Sequence, residues 1–280
     1  HEEAKLYTTC WDIVVDKVKP SREAITKQIH EECFWKFWDK REKQFEEISS
    51  NTKYLVKARD STEWAFAYVS TECVVSSKII IFKDTSLWRF ACLQSGVHRV
   101  WCENGASTIG RAITYNPTIG LEFFPFSDTS DDLEQFAKNY LESRASSMAS
   151  LNVGMNDLYR LTHSSLASDS EVETFRKNIV DLDKAVVAAY GWESLDLGHG
   201  FHEVPYLPEK DRVRFTISEP ARVEVLRRLS ELNRQRHEED AASGQHSGSA
   251  LRTSFRAKRG RCSKGAPPVP LNDLFSGENA

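Results

Sequence analysis

The chain has 280 residues, enough for one large domain or two modest ones. Hydrophobic residues make up 40% and aromatics 11%, with seven Trp and fifteen Phe, which supplies a core and excludes wholesale disorder. A formal net charge of -4 excludes a generally cationic nucleic-acid coat but not a local basic face, because binding follows the distribution of charge and not its sum.

The first fifty residues read as helical. Pro20 and Ser21, followed by Glu23, open a segment to about Ile48 that carries Ile25, Ile29, Phe34, Trp35, Phe37 and Trp38, with Lys40 and Arg41 marking a break. Three short β-branched or aromatic runs follow: Tyr54 to Val56, Ala65 to Val69 and Lys78 to Phe82. Asp, Ser and Thr bound them, and they read as strands. Leu87, Phe90, Leu93, Val97 and Trp101 recur at three and four, predicting one helix from Leu87 to about Cys102, stopped by Asn104-Gly105. Strands are expected near 112–115 and 120–124.

After Asp128 the pattern turns helical. Ser130 caps a helix holding Leu133, Phe136, Tyr140 and Leu141, and a short helix beyond Gly154 carries Met155, Leu158 and Leu161. Ser170 and Glu173 fit a capping box, and Val172, Phe175, Ile179, Leu182 and Val186 follow at helical spacing until Gly191. Ser218, with Pro220 in the first turn, starts a last helix. It has Val225, Leu226, Leu229 and Leu232 inside and Arg227, Arg228, Arg234 and Arg236 outside. From about Ala242 the composition collapses to Ser, Gly, His and Pro, the signature of a flexible tail. The reading is therefore α+β: a helical leader (1–50), a strand-containing core with a small mixed sheet (51–128), a helical C-terminal part (129–241) and a disordered basic tail (242–280).

Cys10, Cys33, Cys73, Cys92, Cys102 and Cys262 form no C-x-x-C pair and read as reduced thiols of a cytoplasmic protein. No apolar run approaches the ~18 residues of a bilayer span, no signal peptide is visible, and the opening His1 suggests a fragment or a processed chain. Phosphate-cradling glycine loops, a nucleophile elbow and a zincin motif are all missing. His199, His202 and Glu203 lie close together without a third spaced metal ligand, and read as a loop with surface or structural histidines. Asp181 and Asp183 read as the solvated face of their helix. No metal site and no catalytic constellation is expected.

Positive charge concentrates in two places. Lys53, Lys57 and Arg59 surround the first strand, where alternation could place them on one side. Arg252, Arg256, Lys258, Arg259, Arg261 and Lys264 fill a tail segment without one acidic residue. Such an arm suits phosphate contact, which is strong, salt-sensitive and blind to sequence; the other reading is a solvated tail with no ligand. Base readout needs Arg, Asn, Ser or Thr held rigidly enough to reach base edges. The stretch 106-ASTIGRAITYNPTIGLEFFPFS-127 is where such groups are dense, and on spacing alone it is either an ordinary polar turn or a reading surface.

Resemblance separates these. Phe90, Leu93, Ser95, His98, Trp101, Gly105, Ser107, Tyr115, Pro117 and 122-EFFPF-126 resemble the target-recognition region of adenine-specific DNA methyltransferases from MmeI-like restriction–modification and related phage-defence systems. The downstream series 181-DLDKAVVAAYGWESLDLGHGFHE-203 and 212-RVRFTISEPARVEVLRRLSELNRQRHEE-239 resembles the C-terminal helical part of the same family, so the likeness spans about residues 10 to 240. The glycine-rich S-adenosylmethionine motif and the N-P-P-Y motif of that family's catalytic domain are not in this sequence. The resemblance therefore implies the DNA-reading half of such an enzyme, not active alone. Its partners would be double-stranded DNA and a methyltransferase catalytic domain, which would carry S-adenosylmethionine, while this chain binds no cofactor.

It also implies readout from Thr108, Arg111, Thr114 and Asn116, with Lys53, Lys57, Arg59 and the tail cations on the DNA backbone. Where relatives place an acidic residue and an arginine before an R-Y pair, this sequence has Gly110, Arg111 and Ala112, and the pair's Arg is Thr114; the role moves to Arg111 or is lost. Trp101, Tyr115, Phe123 and Phe124 are expected to anchor the reader as core, in preference to stacking on bases. Two other readings stay open: a free-standing DNA-binding specificity protein, and an α+β interaction protein without a nucleic-acid role.

Overall fold

A computed structural model describes residues 2–23, 33–36, 46–47, 51–104, 107–109, 112–204, 207, 209 and 212–242. Much of the expected leader helix beyond Glu23 and the whole basic tail lie outside those residues. The chain divides into two compact units, His1–Val225 and Leu226–Ala280.

The first unit opens with short helices, α1 (Glu2–Lys5), α2 (Thr8–Ile13) and α3 (Lys19–Glu23), with a π-helical turn at Val14–Val18; none buries a residue. A three-stranded antiparallel sheet follows, β1 (Lys53–Ala58) flanked by β3 (Phe66–Ser70) and β4 (Ile79–Phe82). Between β1 and β3 the two-residue strand β2 (Asp60–Ser61) crosses to a second sheet of order β2-β6-β5, with β5 at Ser107–Ile109 and β6 at Ala112–Thr114. All described strand pairs are antiparallel, so the sheets are not mixed. On β1 the apolar run is continuous because both faces are covered: Tyr54, Leu55, Val56 and Lys57 are all buried.

The expected single helix from Leu87 is two, α4 (Leu87–Gln94) and α5 (Gly96–Asn104), broken at Ser95 with φ -66° and ψ 156°. Ser95 serves both ends. It closes α4, and its Oγ accepts from His98 N at 3.3 Å, the bond of an N-cap. The break lets Gly96 N donate to Asp183 Oδ1 at 2.7 Å, and a Cβ on Gly96 would fall 2.7 Å from Asp183 Oδ2. This corrects the reading of Asp183 as a solvated residue: it is 3% exposed and also receives His199 Nε2 at 2.8 Å.

Residues 118–122 form a π-helical turn where a strand was expected. Asn116 Oδ1 accepts from Thr118 N at 3.0 Å to start it, and Trp101 Nε1 donates to Ile119 O at 2.9 Å. The chain passes so close to Tyr115 that a Cβ on Gly120 would sit 2.5 Å from its Oη, a contact only glycine avoids.

Three further helices pack on one another and on α4 and α5: α6 (Asp131–Ser150), α7 (Met155–Thr162) and α8 (Ser170–Ala189), with α6 lying along α8. Ser130 caps α6 as expected, accepting from Leu133 N at 3.1 Å. The capping box does not form. Asp169 is the N-cap of α8, and Ser170 donates to its neighbour Glu171 instead. The stop at Gly191 does form, with φ +72° and bonds from Trp192 N to Val187 O (3.0 Å) and Gly191 N to Ala188 O (2.8 Å) that complete a Schellman motif. Residues 198–203, read as loop, supply β7 (Gly200–Glu203), which pairs with β8 (Val213–Thr216).

The last helix, α9 (Glu219–Ala242), begins at Ser218, whose Oγ accepts from Ala221 N at 3.4 Å. Ala221 and Val225 are buried in the first unit. The second unit's described part has a buried Leu229 and an exposed Arg234 bonded at 2.6 Å to both Glu231 and Glu238.

Candidate nucleic-acid interface

The β2-β6-β5 sheet is the element on which the polar stretch stands. In its central strand Ile113 is 6% exposed and faces the core, so by strand alternation Thr114 points to the opposite, outer face, and Tyr115 turns inward again at 1% exposed. Thr114 stands between Asp60 on β2 and Ser107 on β5 in register, and its Oγ1 donates to Asp60 Oδ1 at 2.7 Å.

The aromatic anchor beneath it is core, as the spacing indicated. His98, fully buried, packs its ring edge against Phe124 (centroids 4.6 Å), Trp64 (5.5 Å) and Tyr115 (5.8 Å), and Phe124 meets Phe126 edge to face at 4.8 Å. Burial holds the His98 ring down to about pKa 4, against the opposing pull of two backbone carbonyls, Leu93 O and Gly120 O, each 2.9 Å from a ring nitrogen. Phe123 is not part of this anchor, since 46% of it is exposed.

The expected contact residues fare unequally. Arg111 and the tail cations Arg252, Arg256, Lys258, Arg259 and Arg261 lie outside the described residues. Thr108 is on β5 opposite Ile113, its side chain outside the described part. Asn116 is exposed, but its side-chain oxygen is engaged in starting the 118–122 turn. Lys53 is exposed, with its Nζ 4.3 Å from the Tyr68 ring centroid. Arg59 is exposed, and its backbone joins the two sheets, donating to Lys78 O (2.8 Å) and accepting from Tyr115 N (2.7 Å).

Lys57 does not share their solvent face. It is 3% exposed, with its amine 4.5 Å from the Trp64 ring and 5.4 Å from the Phe66 ring; burial first, and then Arg99, bring it down to about pKa 8. That position corrects the expectation of a phosphate-facing Lys57.

Sequence reasoning missed the groups that fix this sheet in place. Gln94 is buried on α4 and acts as a strand partner, accepting from Phe66 N (2.9 Å) and donating to Trp64 O (2.7 Å). Arg144 Nη1 donates to Phe66 O at 2.7 Å. Glu63, two residues past β2, stands 3.4 Å from both Arg214 Nη1 and His163 Nε2, and Glu103 takes Arg99 at 2.7 Å and Arg222 at 3.3 Å. These ties connect the sheet region to α7, β8 and α9. Among the described residues no three His, Cys, Asp or Glu side chains group as metal ligands, and no helix is long and apolar enough to cross a membrane. Of the cysteines, Cys92 and Cys102 are buried and Cys10 and Cys73 are exposed, all as free thiols.

Fold and site define an α+β module that carries a short polar sheet face on a rigid aromatic base. Residues 3–128 match the family model described as "MmeI, target recognition domain". That match covers a little under half of the chain. A solved structure described as a type IIL restriction–modification enzyme MmeI in complex with DNA is similar at a TM-score of 0.49 and 20% identity, over 66% of this chain and 22% of that one. This chain thus spans about a fifth of that protein's length. No curated protein matches the chain.

Proposed function

We propose that the chain is the DNA target-recognition portion of a site-specific, adenine-N6 restriction–modification methyltransferase. In this reading a separate catalytic domain binds S-adenosylmethionine and methylates the base. The observation that carries the proposal is the family match over residues 3–128, which includes the whole polar sheet and its aromatic anchor. The physical requirements of a reader support it. Base edges are read by polar groups that must not wander, and here Thr114 projects from a strand whose neighbours Ile113 and Tyr115 are buried. Arg111 reads base edges beside it, and exposed Lys53 and Arg59, with the tail cations, supply the charge for the backbone.

The test is selection of preferred sites from randomised duplexes by the full chain, followed by anisotropy titrations on the selected and scrambled duplexes at several salt concentrations. Arg111→Ala is expected to change or abolish the preference. Ending the chain after Ala250 is expected to weaken binding evenly across sequences and to flatten the salt dependence. Failure of the wild-type chain to bind any duplex at low salt refutes the proposal, and an Arg111→Ala variant with unchanged preference and affinity removes Arg111 from it.

A further inference from the structure

Asp60 has no role in any of the readings above, yet it is exposed on the outer face of the β2-β6-β5 sheet, and its Oδ1 holds the Thr114 hydroxyl at 2.7 Å. We infer that Asp60 and Thr114 form an acceptor-only pair that reads the exocyclic amino group of one base, cytosine N4 or adenine N6; this rests on the DNA-reading proposal.

Direction comes first. Asp60 and Thr114 are paired in register, and side chains directly opposite one another share a face. Ile113 and Tyr115 on either side of Thr114 are buried, so the shared face is the one away from the core.

Rigidity comes second. Arg59, just before Asp60, is bonded through its backbone to Lys78 O and Tyr115 N. At the end of β2, Ser61 Oγ accepts from Glu63 N at 3.1 Å, and Glu63 is itself buried against Arg214 and His163. The two-residue strand is therefore pinned at both ends, although its own side chain is on the surface. A cross-strand hydrogen bond that only stabilised an exposed edge would not need such fixing, and an uncharged Ser or Thr in place of Asp60 would make it equally well.

Chemistry comes third. A hydroxyl has one hydrogen, and Thr114 gives its own to Asp60, so what the pair turns outward is lone pairs: the rest of the carboxylate and those of Thr114 Oγ1. Acceptors of this kind match the N4 amine of cytosine or the N6 amine of adenine in the major groove, and mismatch guanine O6 and thymine O4. The negative charge repels phosphate, so the pair belongs over base edges and not over the backbone.

The experiment uses the full chain and the site selected by wild type. At each base pair of that site, the amine is deleted in turn, with purine for adenine and pyrimidin-2-one for cytosine, and affinity is measured at fixed salt. Wild type is expected to lose about ten-fold at one position when its amine is absent, the scale of one good base contact. Asp60→Asn, whose amide offers a donor as well as an acceptor, is expected to lose that discrimination at that position alone. Whether the position holds adenine or cytosine identifies the base. If wild type selects a site and Asp60→Asn discriminates identically at every position, the inference is overturned, whereas a wild type without sequence preference defeats the DNA-reading proposal instead. Should Asp60→Asn unfold, judged by its melting temperature, Thr114→Val serves in its place: partial loss of discrimination at the same position supports the pair, and unchanged discrimination overturns it.

Discussion

Removal of the Glu63 charge gives a stability change whose size and pH dependence both follow from the structure. Glu63 is 5% exposed and stands 3.4 Å from Arg214 and 3.4 Å from His163. Burial alone would raise its pKa. The hydrogen bond and charge of His163, then the charges of Arg214 and Arg99, outweigh that and lower the carboxyl from 4.5 to about 2. Burial lowers the pKa of His163 in turn, with Glu63 pulling it the other way. At about 1.36 kcal/mol for each pH unit, the displacement of Glu63 corresponds to roughly 3 kcal/mol of folding stability. Breaking a buried ion pair by removing one partner costs a comparable ~3–5 kcal/mol.

Glu63→Gln is therefore expected to be about 3 kcal/mol less stable than wild type at pH 7, in urea unfolding followed by tryptophan fluorescence. The sign of the pH effect is fixed by the depressed pKa. The carboxylate's contribution is fully present above the unfolded value of 4.5 and is lost as pH falls towards the folded value near 2. The gap between wild type and Glu63→Gln should thus narrow below pH 4.5 and close near pH 2. A gap under ~0.5 kcal/mol at pH 7, within the range of ordinary surface substitutions, would refute the reasoning, as would a gap that acid leaves unchanged.

Gly120→Ala places a methyl 2.5 Å from Tyr115 Oη and 2.6 Å from its Cζ, and overpacking of that kind is expected to cost about 1–3 kcal/mol in thermal unfolding. A Gly120→Ala variant as stable as wild type would mean that the 118–122 turn shifts freely off the Tyr115 ring. Lys57→Met substitutes an apolar chain of similar length for an amine already buried among Trp64 and Phe66, so stability should change by less than ~1.5 kcal/mol and the salt dependence of DNA binding should stay as it is. A flatter salt dependence in that variant would show that Lys57 reaches a phosphate after all.

What the sequence made legible and what it hid divide along one physical line. Elements set by local pattern were readable: the apolar runs of β1, β3 and β4, the helical spacing from Val172 to Val186, the Ser130 cap and the Gly191 stop. Features set by a distant partner were not. Ser95 breaks a helix whose apolar spacing runs straight through it, because Asp183, 87 residues beyond Gly96, takes the Gly96 N–H. Residues 118–122 wind up because a histidine, a tryptophan and a tyrosine from elsewhere bond or crowd their backbone. The two-residue strand β2 is too short for any periodicity, which is why Asp60 carried no signal although the neighbouring polar stretch did.

Charged residues show the same division in sharper form. A Lys, Asp or Glu in a sequence is read as surface because a lone buried charge is costly, and that default fails only where partners are in place. Lys57, Glu63 and Asp183 are such cases, each under 6% exposed. Several of the partners that hold the sheet region lie beyond residue 128, where the family match ends: Arg144 on Phe66, His163 and Arg214 on Glu63, Asp183 on Gly96. The segment that the family model matches is thus legible from its own residues, while several of the groups that fix its strands come from outside it. The rigidity of its strands is a property of the first unit as a whole, and cutting the chain at residue 128 would leave Glu63 buried without Arg214 and His163.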